Sequence, residues 1–224
     1  MKKLKEIKKY IFPKICVICQ LYNIQAQSDK NICHACQNNF MPNTLPRLIS
    51  NGHGKNLQIF APYFYQGALR DLLLKFKHRD ASYLAKTFSE FMYRSLHNAH
   101  FDVIVPIPLH TKRLLQRGYN QSALLAYYLG KLLSKPVHYS LLKRTRHTPM
   151  QRGLSDNERK QNVQDAFQCT TKCFHLKRPS VLLVDDVCTS GATLLSAQKA
   201  LHAYEYLNIM ACVIATTTHN QPED

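Results

Sequence analysis

No stretch of this 224-residue chain approaches the roughly eighteen consecutive apolar residues that a membrane-spanning helix needs, and the amino terminus lacks the apolar core of a secretion signal. The expectation is a cytoplasmic protein with no transmembrane segment. Acid is also scarce, with 14 Asp and Glu against 30 Lys and Arg and a formal net charge of +16. Such an imbalance attracts phosphate-rich partners at an ionic-strength-dependent rate and points to nucleic acid, set against the plainer reading of a solvated charged surface. Wholesale disorder is excluded by an apolar content of 45%, enough to bury a sizeable core. The length suits one α/β domain plus a small appendage.

Eight cysteines are present, but they do not read as a disulfide framework. Four fall as Cys16-x2-Cys19 and Cys33-x2-Cys36, two knuckles that each offer a pair of thiolates to one tetrahedral ion, and zinc is the metal this pattern implies. Four sulfurs leave no open coordination position, so the role is structural rather than hydrolytic. Cys169, Cys173, Cys188 and Cys212 are too scattered for a second site, and Cys212 reads as packing in an apolar strand. His34 is read as a bystander.

Residues 1–12 place five lysines around Leu4, Ile7 and Ile11 ahead of Pro13, a short basic amphipathic helix that either touches a membrane surface or frays or docks locally. The stretch from Pro42 to Gly54 has little periodicity and reads as a linker or ordered loop. The expected organisation is therefore residues 1–14 as a basic helix, 15–54 as a four-cysteine zinc-binding segment with linker, and 55–224 as the main domain. Leu69, Leu72, Leu73 and Phe76 mark one face of a helix, and Tyr83 to Leu96 a second, both expected to cover the sheet.

The most informative stretch is Val181-Leu-Leu-Val-Asp185-Asp186-Val-Cys-Thr189-Ser190-Gly191-Ala192-Thr193. An uninterrupted apolar run reads as a buried parallel strand, and ligands of open α/β sheets collect beyond the carboxyl ends of such strands. The backbone N–H groups of Thr189 to Thr193 then meet the positive end of the next helix, where a phosphate gains several hydrogen bonds, and Gly191 lets the backbone approach closely. Like charges beside a phosphate would repel it, so Asp185 and Asp186 are better used on ribose hydroxyls or on Mg2+ a few ångströms away. This loop resembles the phosphoribosyl pyrophosphate (PRPP) loop of type I phosphoribosyltransferases, with Ser190 where a second Thr is common.

Asp102 to Leu109 reads as another parallel strand whose exit loop opens on the same side. That loop carries Lys112, Arg113 and Arg117 with no acid before an apolar helix through Leu133. Arginine matches phosphate with two parallel N–H bonds, so Arg113 and Arg117 are the candidates for pyrophosphate. Further on, Leu142 to Gly153 is basic and turn-rich, followed by a capping box, Ser155 to Glu158. It reads as a mobile arm, in which Arg144, Arg146 and Arg152 either cover pyrophosphate or hold the backbone of a single strand, with His147 and Tyr139 available for stacking.

Taken together, the four cysteines, Tyr65-x-Gly67-x-Leu69-Arg70 with Lys77, Pro106 to His110, Arg113, Arg117 to Gln121, Arg144 to Gln151, Glu158-Arg-x-x-Asn162 and Asp185 to Thr193 resemble the ComF family over nearly the whole chain. The resemblance implies a type I phosphoribosyltransferase-like fold, mostly parallel and flanked by helices, behind a four-cysteine zinc segment. It also implies natural transformation: PRPP bound with Mg2+, handling of incoming single-stranded DNA, and contact with membrane-associated uptake proteins, an inner-membrane channel or a helicase. Lys77 joins Arg113 and Arg117 on the pyrophosphate side. A transferase that displaces pyrophosphate is the alternative, lowered by the lack of an identifiable general base or acceptor pocket. A PRPP-sensing regulator would need a duplex-reading module, and no recognition helix is evident.

Overall fold

The computed structural model describes residues 15–21, 31–50, 56–77, 81–145, 166–170, 179–203 and 208–217. The short helix α1 (His34–Asn38) is followed by strands β1 (Arg47–Ser50), β2 (Asn56–Phe60) and β3 (Tyr63–Phe64). Helices α2 (Gly67–Phe76) and α3 (Leu84–Ser95) lead to β4 (Val103–Pro106), α4 (Thr111–Arg117) and α5 (Gln121–Leu133). Strands β5 (Leu142–Arg144), β6 (Phe167–Cys169), β7 (Val181–Val184) and β8 (Val187–Cys188) precede α6 (Ala192–His202), β9 (Ile209–Cys212) and β10 (Ala215–Thr216).

The main sheet has the order β1-β2-β9-β7-β4. β2, β9, β7 and β4 run parallel, and only the edge strand β1 is antiparallel. All four residues of β4, β7 and β9 are buried, as expected for strands covered on both faces. Alternation sorts them into two cores. Leu182, Val184, Ile104, Met210 and Cys212 pack with α2, α3 and α5, whereas Val181, Leu183, Val103, Val105 and Ala211 pack with α6 and the β5–β6 pair. The two helices expected to cover the sheet therefore do so, on one face.

A second sheet, β3-β10-β8, is wholly parallel. Each of its two-residue strands follows a central strand of the main sheet after a two-residue gap, and β3, β10 and β8 keep the order of β2, β9 and β7. The central strands thus resume past their carboxyl ends, and Asp185 and Asp186 are the residues at the interruption after β7. The break leaves its backbone paired, because Asp185 N–H donates to the Cys212 carbonyl and Ile214 N–H to that of Asp186.

The cysteine segment is joined to this body by its own side chains. Phe40 forms an edge-to-face triad with Tyr63 and Phe91, its centroid 5.4 and 6.3 Å from theirs, and Gln37 Nε2 donates to the Tyr63 hydroxyl at 3.1 Å. Asn43 donates to the carbonyls of Pro62 and Ala61.

Two expectations differ from the structure. The stretch read as linker contains β1, which pairs antiparallel with β2, so a division at 54/55 falls between two paired strands. Arg144, read as part of a mobile arm, instead ends β5, opposite Phe167 of β6, and its guanidinium lies 5.4 Å from the Phe167 ring centroid. Packing against a strand more than twenty residues away overrides the local turn signals. The amino-terminal helix, Arg146, His147, Arg152, Cys173 and the capping box lie outside the described residues.

Candidate functional site

Asp185 is placed by the end of a fully buried strand and is tied down from another element. Its Oδ1 accepts from Ser122 Oγ at 2.8 Å and from the Asp186 N–H at 2.9 Å. Ser122 is fixed in turn because Asn120, the N-cap of α5, accepts from the N–H groups of Ser122 and Ala123 while its Nδ2 donates to the Ile107 carbonyl at the end of β4. Burial, first, and then the neighbouring Asp186 push the Asp185 carboxyl up to about 7, against the downward pull of the Ser122 and backbone hydrogen bonds and of Lys77. Asp186 Oδ1 accepts from the Val187 N–H at 2.8 Å, and its Oδ2 lies 3.8 Å from Lys77 Nζ. Lys77 caps the end of α2, and the Tyr119 hydroxyl donates to the carbonyl of the preceding Phe76, which fixes the base of that lysine.

Past the carboxylates, Thr189 to Thr193 turn into α6. Gly191 is the N-cap at φ 78°, and a Cβ there would stand 2.3 Å from Ile49 Cδ1. Glycine is thus required by backbone conformation and by close packing on β1, not only by approach to a ligand. Ser190 Oγ accepts from the Ala192 N–H at 3.4 Å. Arg47 of β1 donates from one guanidinium nitrogen to the Thr189 carbonyl at 2.7 Å and to Thr216 Oγ1 at 3.1 Å. Residues Asp185 and Val187 to Leu194 line a cavity of about 40 Å³, space for a few waters or one small anion. A larger cavity of about 290 Å³ lies at the opposite ends of the strands, against Asp102 and Ser180, away from the carboxylate pair.

The arginines of the neighbouring loop belong to α4, a seven-residue helix whose N-cap His110 accepts from the Lys112 N–H and which stops at Gly118 in the left-handed conformation. The segment read as an open loop is thus largely helical. Arg117 donates to Gln121 Oε1 at 3.3 Å, which aims it along α5. Partial burial and then Arg117 lower the Arg113 pKa. Arg144 is lowered by burial and then by Arg113, while Asp185 acts in the opposite direction. Lys77 thus faces Asp186 directly, and Arg144, which sequence assigned to an arm, is within electrostatic reach of Asp185 and of Arg113, which in turn neighbours Arg117. Two residues of this site were missed: Ser122, which stands one residue beyond the motif noted in sequence, and Arg47, hidden in a stretch read as linker.

The cysteines converge as the spacing requires. The sulfurs of Cys16, Cys19, Cys33 and Cys36 all lie within 4.8 Å of one another, and Cys19 and Cys33 are 3.8 Å apart. Metal–sulfur bonds of about 2.3 Å in a tetrahedron put the sulfurs about 3.8 Å apart, so the set fits a tetrahedral metal centre. Backbone N–H groups point at it: Cys33 N–H donates to Cys16 Sγ and Cys36 N–H to Cys33 Sγ, both at 3.4 Å. Burial raises the Cys16 thiol, but the N–H groups of Cys33, Cys19 and Ile18 outweigh it and bring it down to about 6. Cys36 is pushed up to about 12 by burial and by the other sulfurs, a repulsion that a cation would relieve. Cys169, Cys188 and Cys212 are buried thiols outside this cluster. Cys212 is fully enclosed in β9, as its apolar context implied.

A mostly parallel sheet resumed past a break, with a carboxylate pair at the break and a glycine turn feeding a helix, is a type I phosphoribosyltransferase-like fold, here preceded by a four-cysteine segment. Solved structures of adenine phosphoribosyltransferase superpose loosely. That of Thermoanaerobacter pseudethanolicus has a TM-score of 0.40 and 12% identity, covering 78% of this chain and 96% of that one. That of Saccharomyces cerevisiae has a TM-score of 0.39 and 14% identity over 77% and 83%. No family model matches the chain.

Among curated proteins, competence protein F of Haemophilus influenzae is 34% identical over 144 residues, 61% of this chain and 63% of that protein. The DNA utilization protein YhgH of Escherichia coli K12 is 28% identical over 198 residues, 82% and 83% of the two chains. Competence protein ComFC of Bacillus subtilis is 30% identical over 149 residues, 62% and 55%. The chain is a homologue of competence protein F, ComFC and YhgH, and its match spans less than two thirds of the length of competence protein F and of ComFC but 83% of that of YhgH.

Proposed function

We propose that the protein binds PRPP with Mg2+ and handles single-stranded DNA during uptake in natural transformation. The observation that carries this reading is the Asp185–Asp186 pair beside the cavity of the Thr189 to Thr193 turn, with Lys77 Nζ 3.8 Å from Asp186 and Arg144 within electrostatic reach of Asp185. A ligand that is both polyanionic and rich in hydroxyls or divalent metal satisfies both halves of such a site. The carboxylates take the ribose hydroxyls or Mg2+, the Thr189 to Thr193 loop takes the 5′-phosphate, and the basic residues take the pyrophosphate. The names competence protein F and DNA utilization protein, borne by relatives, support placing this ligand site in DNA uptake. The net charge of +16 supports retention of a strand without sequence preference.

In this reading the four-cysteine centre holds zinc as a brace, since four sulfurs leave zinc no open position and the segment packs through Phe40 against α3. Arg146, Arg152 and the lysines of residues 1–12 supply further positive charge for a DNA strand or an anionic membrane surface. The setting is the cytoplasmic face of the membrane, beside the channel or helicase of the uptake machinery. No helix among the described residues is long and apolar enough to cross a bilayer.

The reading is tested by measuring single-stranded DNA binding with and without PRPP and Mg2+ while assaying pyrophosphate in the same tubes. DNA binding modulated by PRPP without pyrophosphate release supports it. Release of pyrophosphate makes the protein a transferase, and absence of PRPP binding removes the pocket assignment.

A further inference from the structure

Helix α5 starts at the candidate site and runs away from it. Its first turn supplies Ser122 to Asp185, and its far end, with Lys135 beyond it, lines the cavity at the opposite pole. Along its outward face Tyr127 and Lys131 are exposed, and Tyr128 is half-buried. The two tyrosine rings meet edge to face at 5.1 Å. Lys131 donates to the Tyr127 hydroxyl and lies 4.2 Å from that ring's centroid. The chain then passes round the sheet edge, where Val137 bridges to Ile104, and presents Tyr139 half exposed. Burial first, and then Tyr127, raise the Tyr139 pKa, so the two tyrosines lie within electrostatic reach of each other.

The buried stripe of α5 is Leu125, Ala126, Leu129 and Gly130; Tyr128 leans partly on the core beside it, whereas Tyr127 is exposed and carries Lys131 over its ring. No aspartate or glutamate occurs between Asp102 and Asp156, whereas Lys112, Arg113, Arg117, Lys131, Lys135, Lys143 and Arg144 do. A protein partner's apolar helix would gain little from so one-sided a charge. A polyanion with aromatic faces matches both parts, because stacking on aromatic side chains combined with a basic backbone groove is how unpaired bases are held without sequence preference.

We propose that the outward face of α5, with Tyr127, Tyr128, Lys131 and Tyr139, is a stacking track for single-stranded nucleic acid leading to the Asp185–Asp186 pocket. At 1.5 Å per residue, Ser122 and Lys131 lie about 14 Å apart along the helix, room for a short run of nucleotides. The proposal rests on the strand-handling reading above and adds where the strand lies.

The test uses the full-length, metal-loaded protein and fluorescence anisotropy of a labelled oligo(dT). Tyr127→Ala and Tyr139→Ala should each weaken binding at least about five-fold, the lower end of what one lost stacking ring removes. Tyr127→Phe, which keeps the ring, should stay within about two-fold of wild type, and PRPP·Mg2+ binding by calorimetry should be unchanged in all three. Wild-type strand binding that both alanine variants retain would overturn the track while leaving the strand-handling reading intact. A Tyr127→Phe loss as large as that of Tyr127→Ala would also overturn stacking, in favour of a contact through the hydroxyl. Absence of oligo(dT) binding by the wild type at low salt overturns both, and an alanine variant that instead loses pull-down of a protein partner with strand binding intact reassigns the face.

Discussion

Asp185 should make the protein less stable at neutral pH than it would be without that charge. Its carboxyl holds a proton up to about pH 7 in the folded chain, whereas an unfolded aspartate releases it near 3.9. Between these values the folded state binds more protons than the unfolded one, so stability falls as pH rises from about 4 to 7 and levels off above it. At 1.36 kcal/mol per tenfold difference in proton affinity the loss is at most about 4 kcal/mol. Asp185→Asn removes the charge and keeps the shape: its amide oxygen still accepts from Ser122 Oγ and the Asp186 N–H. The variant should be more stable than wild type by a few kcal/mol at pH 8 and nearly equal to it at pH 4.5. Urea unfolding without ligand, at several pH values, reads this directly. An Asp185→Asn protein no more stable at pH 8 than wild type, with the same pH profile, would refute the reasoning.

Other outcomes follow from single contacts. Gly191→Ala should destabilise by about 2 kcal/mol or more, since it sets a side chain at φ 78° and against Ile49; Ile49→Ala in the same chain should recover part of the loss, and additive losses in thermal melts would contradict the contact. Cys16→Ser or Cys36→Ser should abolish stoichiometric metal, read by elemental analysis, and destabilise the segment carrying Phe40. Arg47→Ala should free the Thr189 carbonyl and weaken PRPP binding without touching the ligand's carboxylate partners, and an unchanged affinity would deny Arg47 that role. Affinity for oligo(dT) should fall steeply between about 50 and 200 mM salt, and a flat response would make the charge of +16 incidental.

The features legible in sequence are those whose partners are local. Val181 to Val184 reads as a strand because four consecutive apolar residues fit a doubly covered position, and the Asp185–Asp186 pair follows from its end. The cysteine spacing likewise carries its geometry within each knuckle. What escaped depends on distant pairing. β1 alternates between half-buried and exposed residues in a proline-containing stretch, so only its pairing with β2 reveals it. Arg144 is strand because Phe167 lies opposite, and nothing near Arg144 announces that. Ser122 and Arg47 reach the site across sequence separations of 63 and 142 residues, and their value lies wholly in the tertiary contact. The resumption of three strands past a common break is also invisible locally, since a two-residue strand has no period.

The central claim is that the Asp185–Asp186 site takes PRPP. It is tested most directly by titrating PRPP with Mg2+ into the metal-loaded protein by calorimetry, beside the Asp185→Asn/Asp186→Asn variant. The account predicts saturable one-to-one binding by the wild type that the variant loses while keeping its fold and its cysteine-bound metal. Equal PRPP affinity in a folded variant, or no binding by the wild type, would contradict it.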